Sequence, residues 1–304
     1  DTKLVLSDAK ADQQKVASII KELVNQSRVT TKSVAVGLPS QRVFTTVVDI
    51  ERLNQTELAK NIKFQADTLI PTPLDESKID WALLGDSPVD ANKVEVLISS
   101  VANTYVEQRL DMLEAIGLNV IAFEPDPIAL ARAMTSGDDT SPQVVVDIGT
   151  NYADLVVISG ATPKLNRSIP TGSESIIKAA MQGLGIDEKQ AEQFVYKFGL
   201  SKDKLEGQIY NAIIGTVDNL VSEIEKSIKF YQTRYPNAPI TKIVVTGGAS
   251  TLPEFRLYIA NKVGLNVEIG NAWRNVTFPA DKQNELLAVS NHFGVAAGLA
   301  ERVE

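Results

Sequence analysis

Cysteine is absent from the 304 residues, and histidine occurs once, as His292. The first absence excludes a disulfide framework and thiolate metal sites, and it accords with a reducing compartment. The second excludes a histidine metal cluster. A general-base role for His292 stays open, with a structural role the commoner outcome for a lone histidine. No apolar stretch reaches the roughly 18–20 residues of a membrane-spanning helix, and no basic-then-apolar signal segment is seen. Positive charge is short too: 30 Lys and Arg stand against 38 Asp and Glu, a net charge of -8. A nucleic-acid partner needs a basic face, so that class is disfavoured. Neither G-x-x-x-x-G-K-[ST] nor G-x-G-x-x-G after a strand occurs, which removes the Walker and Rossmann phosphate loops.

What remains is ordinary globular material, 44% hydrophobic and 22% charged. Its length suits about two domains. Ser7 or Asp8 is placed to cap a helix with Val16, Ile19, Ile20 and Leu23 on one face. KLVL at 3–6 is a short apolar piece, and residues 33–38 and 42–50 read as strands. Asn54 caps a helix through Leu58, Ile62, Ala66 and Leu69, stopped by Pro71 and Pro73. Strands at 79–85 and 94–101 precede a helix capped by Asn103 and ended by Gly117. NLVSEIEKSIKFY (219–231) is a strong helix with Leu220, Ile224, Ile228 and Tyr231 on one face. Strands and helices interleave, so the class is α/β with an inserted α+β piece.

Two stretches can carry chemistry. VVVDIGTNYADLVV (144–157) is a pair of apolar runs around a glycine turn, with Asp147 at its mouth. IVVTGGASTLPEF (243–255) is a strand, a double glycine and a helix. Glycines without Cβ let backbone approach a bulky ligand, and a helix N-terminus favours anions. The plainer alternatives are an ordinary hairpin and an ordinary tight turn.

The two together, with a helix bearing Glu223, Lys226 and Ser227 between them, resemble the superfamily of actin, heat-shock chaperones and sugar kinases. KFQADTLIPTPLDESKIDWALLG (63–85), LEAIGLNVIAFEPDPIALARA (113–133), KSIKFYQ and VVTGGASTLPEF are similar to the PilM-type proteins of type IV pilus assembly, with the FtsA cell-division proteins as cousins. The resemblance implies an actin-like (ribonuclease H-like) two-domain fold with an inserted FtsA-type 1C subdomain. It divides the chain into 1–49 (domain 1A, first part), 50–120 (the 1C-like insert), 121–168 (domain 1A, second part), 169–276 (domain 2) and 277–304 (a helix returning to domain 1A). The superfamily has two D-x-G phosphate hairpins. DIGT matches the second; the first, the phosphate-1 hairpin, is missing from this sequence, which makes KLVL at 3–6 an expected later strand of the sheet. Removal of an N-terminal piece is the expected reason for the missing hairpin, with a homologue that never had it as the alternative.

The resemblance also implies a ligand, ATP with Mg2+, and roles. Asp147 orients hydrated magnesium. Gly149, Thr150, Asn151 and Gly172 offer backbone to phosphate. Gly247, Gly248 and Ala249 lie against the nucleoside. Glu223, Lys226 and Ser227 hold ribose and base. Glu124 and Asp126 position attacking water as candidate catalytic acids, with a loop role the alternative. Tyr152, Ala153 and Ser173 depart from the family pattern, so ATP binding is expected with slow or absent hydrolysis. Phe44, Phe64, Leu69, Ile70, Pro71 and Pro73 form an expected groove for the cytoplasmic N-terminal tail of a PilN-like membrane protein, or else pack internally. The function implied is a cytoplasmic adaptor, peripheral to the inner face of the cell membrane, linking the pilus platform to its motor. Self-association, an FtsA-like filament, a small-molecule kinase and a scaffold with a decayed site stay as alternatives.

Overall fold

The computed structural model describes residues 2–136, 139–160 and 162–302. They fall into two compact units, Asp1–Pro125 and Asp126–Glu304.

The first unit opens with helix α1 (Thr2–Leu6) and helix α2 (Lys10–Gln26). The strand expected at 3–6 is therefore corrected: no strand pairs with it, and its leucines suit a helix packed on α2. The expected cap moves as well. Ala9 is the N-cap of α2, while the Ser7 hydroxyl accepts the Ala9 amide at 3.2 Å and donates to Asp12 at 2.8 Å. Strand β1 (Ser33–Leu38) follows, then β2 (Val43–Glu51), helix α3 (Gln55–Leu69), β3 (Ser77–Asp86), β4 (Lys93–Ala102), helix α4 (Asn103–Glu114) and β5 (Asn119–Pro125).

Strands β2, β4 and β3 form an antiparallel sheet in the order β2-β4-β3. Its apolar face carries Ile50, Val94, Val96 and Ile98 against Leu58, Ile62 and Ala66 of α3. The i, i+4, i+8 spacing of those three puts them on one helical face. Asn54 caps α3 as expected, its Oδ1 accepting the Glu57 amide at 3.0 Å. Asn103 does not cap α4: it lies inside the helix and donates to the Asp75 carbonyl at 2.8 Å. Strands β1 and β5 make a parallel two-stranded sheet, joined to the rest through Leu38, Val43, Val101 and Tyr105. Beside β1 lies an apolar cavity of about 350 Å³ bordered by Val16, Ile20 and Val24 of α2. The expected apolar face of α2 is thus only partly used, with Ile19 and Leu23 exposed.

The second unit holds helix α5 (Asp126–Met134), strands β6 (Gln143–Ile148), β7 (Ala153–Ser159) and β8 (Thr162–Ile169), helices α6 (Ser173–Leu184), α7 (Glu188–Phe198) and α8 (Gln208–Arg234), strand β9 (Lys242–Thr246), helix α9 (Phe255–Val263), strand β10 (Asn266–Ile269), and helices α10 (Gln283–Val289) and α11 (Gly294–Ala300). Five strands form one sheet, β10-β9-β6-β7-β8, antiparallel through β6-β7-β8 and parallel through β6-β9-β10. Both faces are covered, so its central strands read as unbroken apolar runs. Val144, Val146 and Ile148 meet Ile213, Val217, Leu220 and Ile224 on one side. Val145, Val156 and Val244 meet Leu130 and Met134 of α5 on the other. Helix α11 lies close enough to α5 that a Cβ on Gly298 would meet the Ala129 carbonyl.

Because β6 hydrogen-bonds to β9, the strands of residues 143–169 share one sheet with β9 and β10, and α11 packs on α5 in the same unit.

In the first unit, buried Arg109 of α4 is the clasp on α1. It donates to the Val5 and Ser7 carbonyls at 3.3 and 3.2 Å and sits 4.6 Å from the Tyr105 ring centroid. Arg109→Ala leaves those carbonyls unbonded. We expect a loss of about 1–3 kcal/mol in urea unfolding and faster amide exchange in α1 and the start of α2. An unchanged midpoint and exchange pattern refute the clasp.

Candidate functional site

The parallel pairing of β6 with β9 sets Asp147 beside Thr246. Two glycine turns about a hundred residues apart in sequence therefore leave the sheet side by side, at the carboxyl ends of adjacent strands, where ligands of open α/β sheets bind. A cavity of about 280 Å³ opens there. Asp147, Gly149 and Thr150 line it from one turn, Gly247 and Gly248 from the other.

The first turn is closed by the Gly149 amide donating to the Tyr152 carbonyl at 3.0 Å. Helix α6 then fixes its direction. The amides of Ser173 and Glu174, free of intrahelical partners at a helix start, donate to the Gly149 and Thr150 carbonyls at 2.9 Å each. In a trans peptide the N–H points opposite the preceding carbonyl. With both carbonyls drawn to α6, the Thr150 and Asn151 amides point away from it. Gly172 allows the approach: a Cβ there would meet the Thr150 carbonyl. Gly172 is thus a spacer beneath the 149–152 turn and not one of the cavity's walls.

The second turn requires glycine at 247. Its φ is +83°, and a Cβ would meet Asp147 Oδ1 and the Ile148 carbonyl. The turn is stapled to buried Asn291. Gly247 N–H donates to the Asn291 carbonyl at 3.0 Å, Asn291 Nδ2 donates to the Gly247 carbonyl at 3.2 Å, and Thr246 Oγ1 donates to the Asn291 carbonyl at 3.3 Å. Ala249, at the following position, is fully buried in the apolar core.

Carboxylates gather at the Asp147 end. Asp154 of β7 is the register partner of Asp147, and Asp126 begins α5. Burial pushes Asp147 up to about 7, with the Asp154 charge adding to it. Burial likewise pushes Asp126 up to about 7, followed by repulsion from Asp154 and Asp147. Among the described residues no group of three or more acids or histidines is close enough to ligate a metal directly. A magnesium ion keeps several of its waters and uses few protein carboxylates. Mutually repelling acids beside a glycine cradle fit such an ion, with Asp147 its holder through water.

Other expected site residues are placed differently. Glu223, Lys226 and Ser227 do not line the cavity. Glu223 is bound by Arg167 of β8 at 2.9 Å and by Lys226 at 2.6 Å, and its carboxyl is held below the usual range, chiefly by the Lys226 hydrogen bond. Ser227 is buried and accepts from Arg167 at 3.1 Å. The resemblance implied a nucleoside-facing role for them, and in this structure α8 turns Glu223 and Ser227 to Arg167 of β8. Of the candidate catalytic pair, Asp126 joins the carboxylate group, while Glu124 is buried at the end of β5 in the other unit. In the expected groove, Phe44 and Ile70 pack into the core under α3, whereas Phe64, Leu69, Pro71 and Pro73 are exposed. The cavity also has walls not foreseen, Tyr196 of α7 and His292. The rarity of histidine was the only available signal for the latter.

Two outcomes follow. A carboxyl raised in the folded state holds a proton that the unfolded chain releases near pH 4, so stability falls as pH rises from about 4 to about 7. Asp147→Asn should remove about 2 kcal/mol of that decline, allowing for the half-open site, and should be more stable than the parent at pH 8. Thermal melts between pH 5 and 8 check this; parallel curves refute it. Gly172→Ala should cost about 1–3 kcal/mol by overpacking and speed amide exchange at Ser173 and Glu174. Native stability in that variant refutes the spacer role.

Comparison with known proteins agrees with this architecture. The family described as "Type IV pilus assembly protein PilM" matches residues 1–304. A solved PilM-PilN type IV pilus biogenesis complex superposes with a TM-score of 0.80 at 23% identity, covering 95% of this chain and 85% of that one. MreB5 of Spiroplasma citri bound to ADP gives 0.55 at 12% identity over 95% and 74% of the two chains. A non-polymerising MamK mutant bound to AMPPNP gives 0.52 at 11% identity over 97% and 77%. The fold is actin-like, and among the described residues no helix is long and apolar enough to cross a membrane. With its whole length matched, this chain belongs to the PilM family of type IV pilus assembly proteins.

Proposed function

We propose that the protein binds a magnesium–adenine nucleotide in the cavity between the 147–152 and 246–248 turns, and that it acts as an adaptor in pilus assembly. The observation that carries the reading is the β6–β9 register, which sets two glycine turns around one carboxylate. The Thr150 and Asn151 amides hold phosphate, and Asp147 holds the ion through water. A bound dication supplies charge that lets Asp147 and Asp126 ionise together. The nucleotide-bound relatives MreB5 and MamK support the ligand class.

The partner proposed is the cytoplasmic N-terminal tail of a PilN-like inner-membrane protein. The solved PilM-PilN complex supports it. Phe64 and Leu69 of α3, with Pro71 and Pro73 just beyond it, leave apolar surface exposed, where an extended peptide gains side-chain contacts. The protein then sits at the inner membrane face through this partner and links it to the motor. Nucleotide governs the peptide only to the extent that the two nucleotide states bind it with different affinity. Turnover is slow or absent.

Calorimetric titration of Mg-ATP at pH 7.5 tests the ligand. Asp147→Asn should weaken binding about tenfold or more, roughly 1.4 kcal/mol. Gly248→Val, which fills the cavity floor, should abolish it. Equal affinity in all three proteins, or no heat in the parent, rejects the site. Fluorescence titration of a PilN-type tail peptide against Phe64→Ala tests the partner surface, with unchanged affinity rejecting it.

A further inference from the structure

The cavity ends in two side chains that no part of the phosphate turn requires. Tyr196 comes from α7, whose buried Ala191 and Val195 fix the helix rotation. His292 comes from the turn before α11. A Cβ built on Gly248 would lie 3.4 Å from the Tyr196 hydroxyl and 3.8 Å from His292 Cε1. The two tips therefore converge over one glycine from opposite elements.

Their surroundings do not account for them. Tyr196 is 38% exposed and His292 is exposed. Among the described residues, no hydrogen bond of the Tyr196 hydroxyl is found, and the His292 ring has one long contact, 3.5 Å from Asn291 Nδ2. The backbone carrying His292 is nonetheless rigidly held. Asn291 staples it to the glycine turn, and buried Ser290 accepts the Ala272 amide at 2.7 Å. An exposed imidazole on a fixed backbone, facing an exposed phenol across a glycine floor, is a preorganised pair of hydrogen-bonding groups. Glu223 and Lys226, expected to hold the nucleoside, are tied to Arg167 and to each other and lie outside the cavity.

We propose that Tyr196 and His292 hold the sugar and base of the nucleotide, in place of Glu223 and Lys226. This rests on the nucleotide reading above. Asp147 and the 149–151 turn take the charged end, and the two ring side chains take the polar, planar end. The phosphate turn is common to any nucleotide, so these two side chains set preference for a nucleoside over bare polyphosphate.

The single histidine provides the test, because its imidazole signal needs no assignment. The full chain, labelled at histidine, is titrated with Mg-ADP, with adenosine and with Mg-tripolyphosphate, and binding is followed in parallel by calorimetry. Mg-ADP and adenosine should shift the His292 signal, while tripolyphosphate binds and leaves it in place. Tyr196→Phe and His292→Ala should each weaken Mg-ADP at least fivefold without changing tripolyphosphate affinity. Glu223→Gln should leave both unchanged. Mg-ADP binding with an unmoved His292 signal, or with Glu223→Gln as the damaging variant, overturns this assignment and leaves the nucleotide site standing. Absence of binding by both Mg-ADP and tripolyphosphate overturns the two together.

Discussion

The parallel hydrogen bonding of β6 to β9 is the constraint on which the site depends. Register fixes which residues are neighbours at the strand ends, and here it makes Asp147 and Thr246 neighbours. A slip of one residue would turn every side chain of β6 to the opposite face. The alternation of Val144, Val146 and Ile148 against Val145 resists that slip, because each set is buried against a different group of helices. The apolar core thus specifies the geometry of a polar site it does not touch.

The site is built from backbone held by backbone. Helix α6 uses its free amides to turn two carbonyls, and in doing so it presents two amides on the other side. Asn291 performs the matching task for the double glycine with three hydrogen bonds. Backbone amides need no side chain to receive an anion, so Tyr152, Ala153 and Ser173 are compatible with the proposed phosphate site. The carboxylates carry the opposing cost. Asp126, Asp147 and Asp154 are crowded where their charges repel, and burial adds to that cost.

Much of this was legible in the residues. The helix with Leu220, Ile224, Ile228 and Tyr231, the strand around 144–148 and the double glycine turn are all where local pattern puts them, since period and glycine chemistry are local properties. The failures are equally physical. KLVL has no intrinsic preference strong enough to choose strand over helix without knowing its neighbours. Glu223 and Lys226 were assigned by resemblance, and a resemblance does not say what their helix face meets in this chain, where Arg167 of β8 binds Glu223. The pairing of β6 with β9 was not legible either, because long-range pairing leaves no local mark.

By itself the sequence determined the fold class, the family and the two turns, because apolar periodicity, glycine positions and motif spacing are written along the chain. Only the tertiary structure decided which residues stand round the cavity. Tyr196 and His292 reach Gly248 from elements about fifty residues before it and about forty-five after it. Their meeting depends on how α7 and the turn before α11 pack against the sheet, and side-chain convergence of that kind is a property of packing, not of any segment alone.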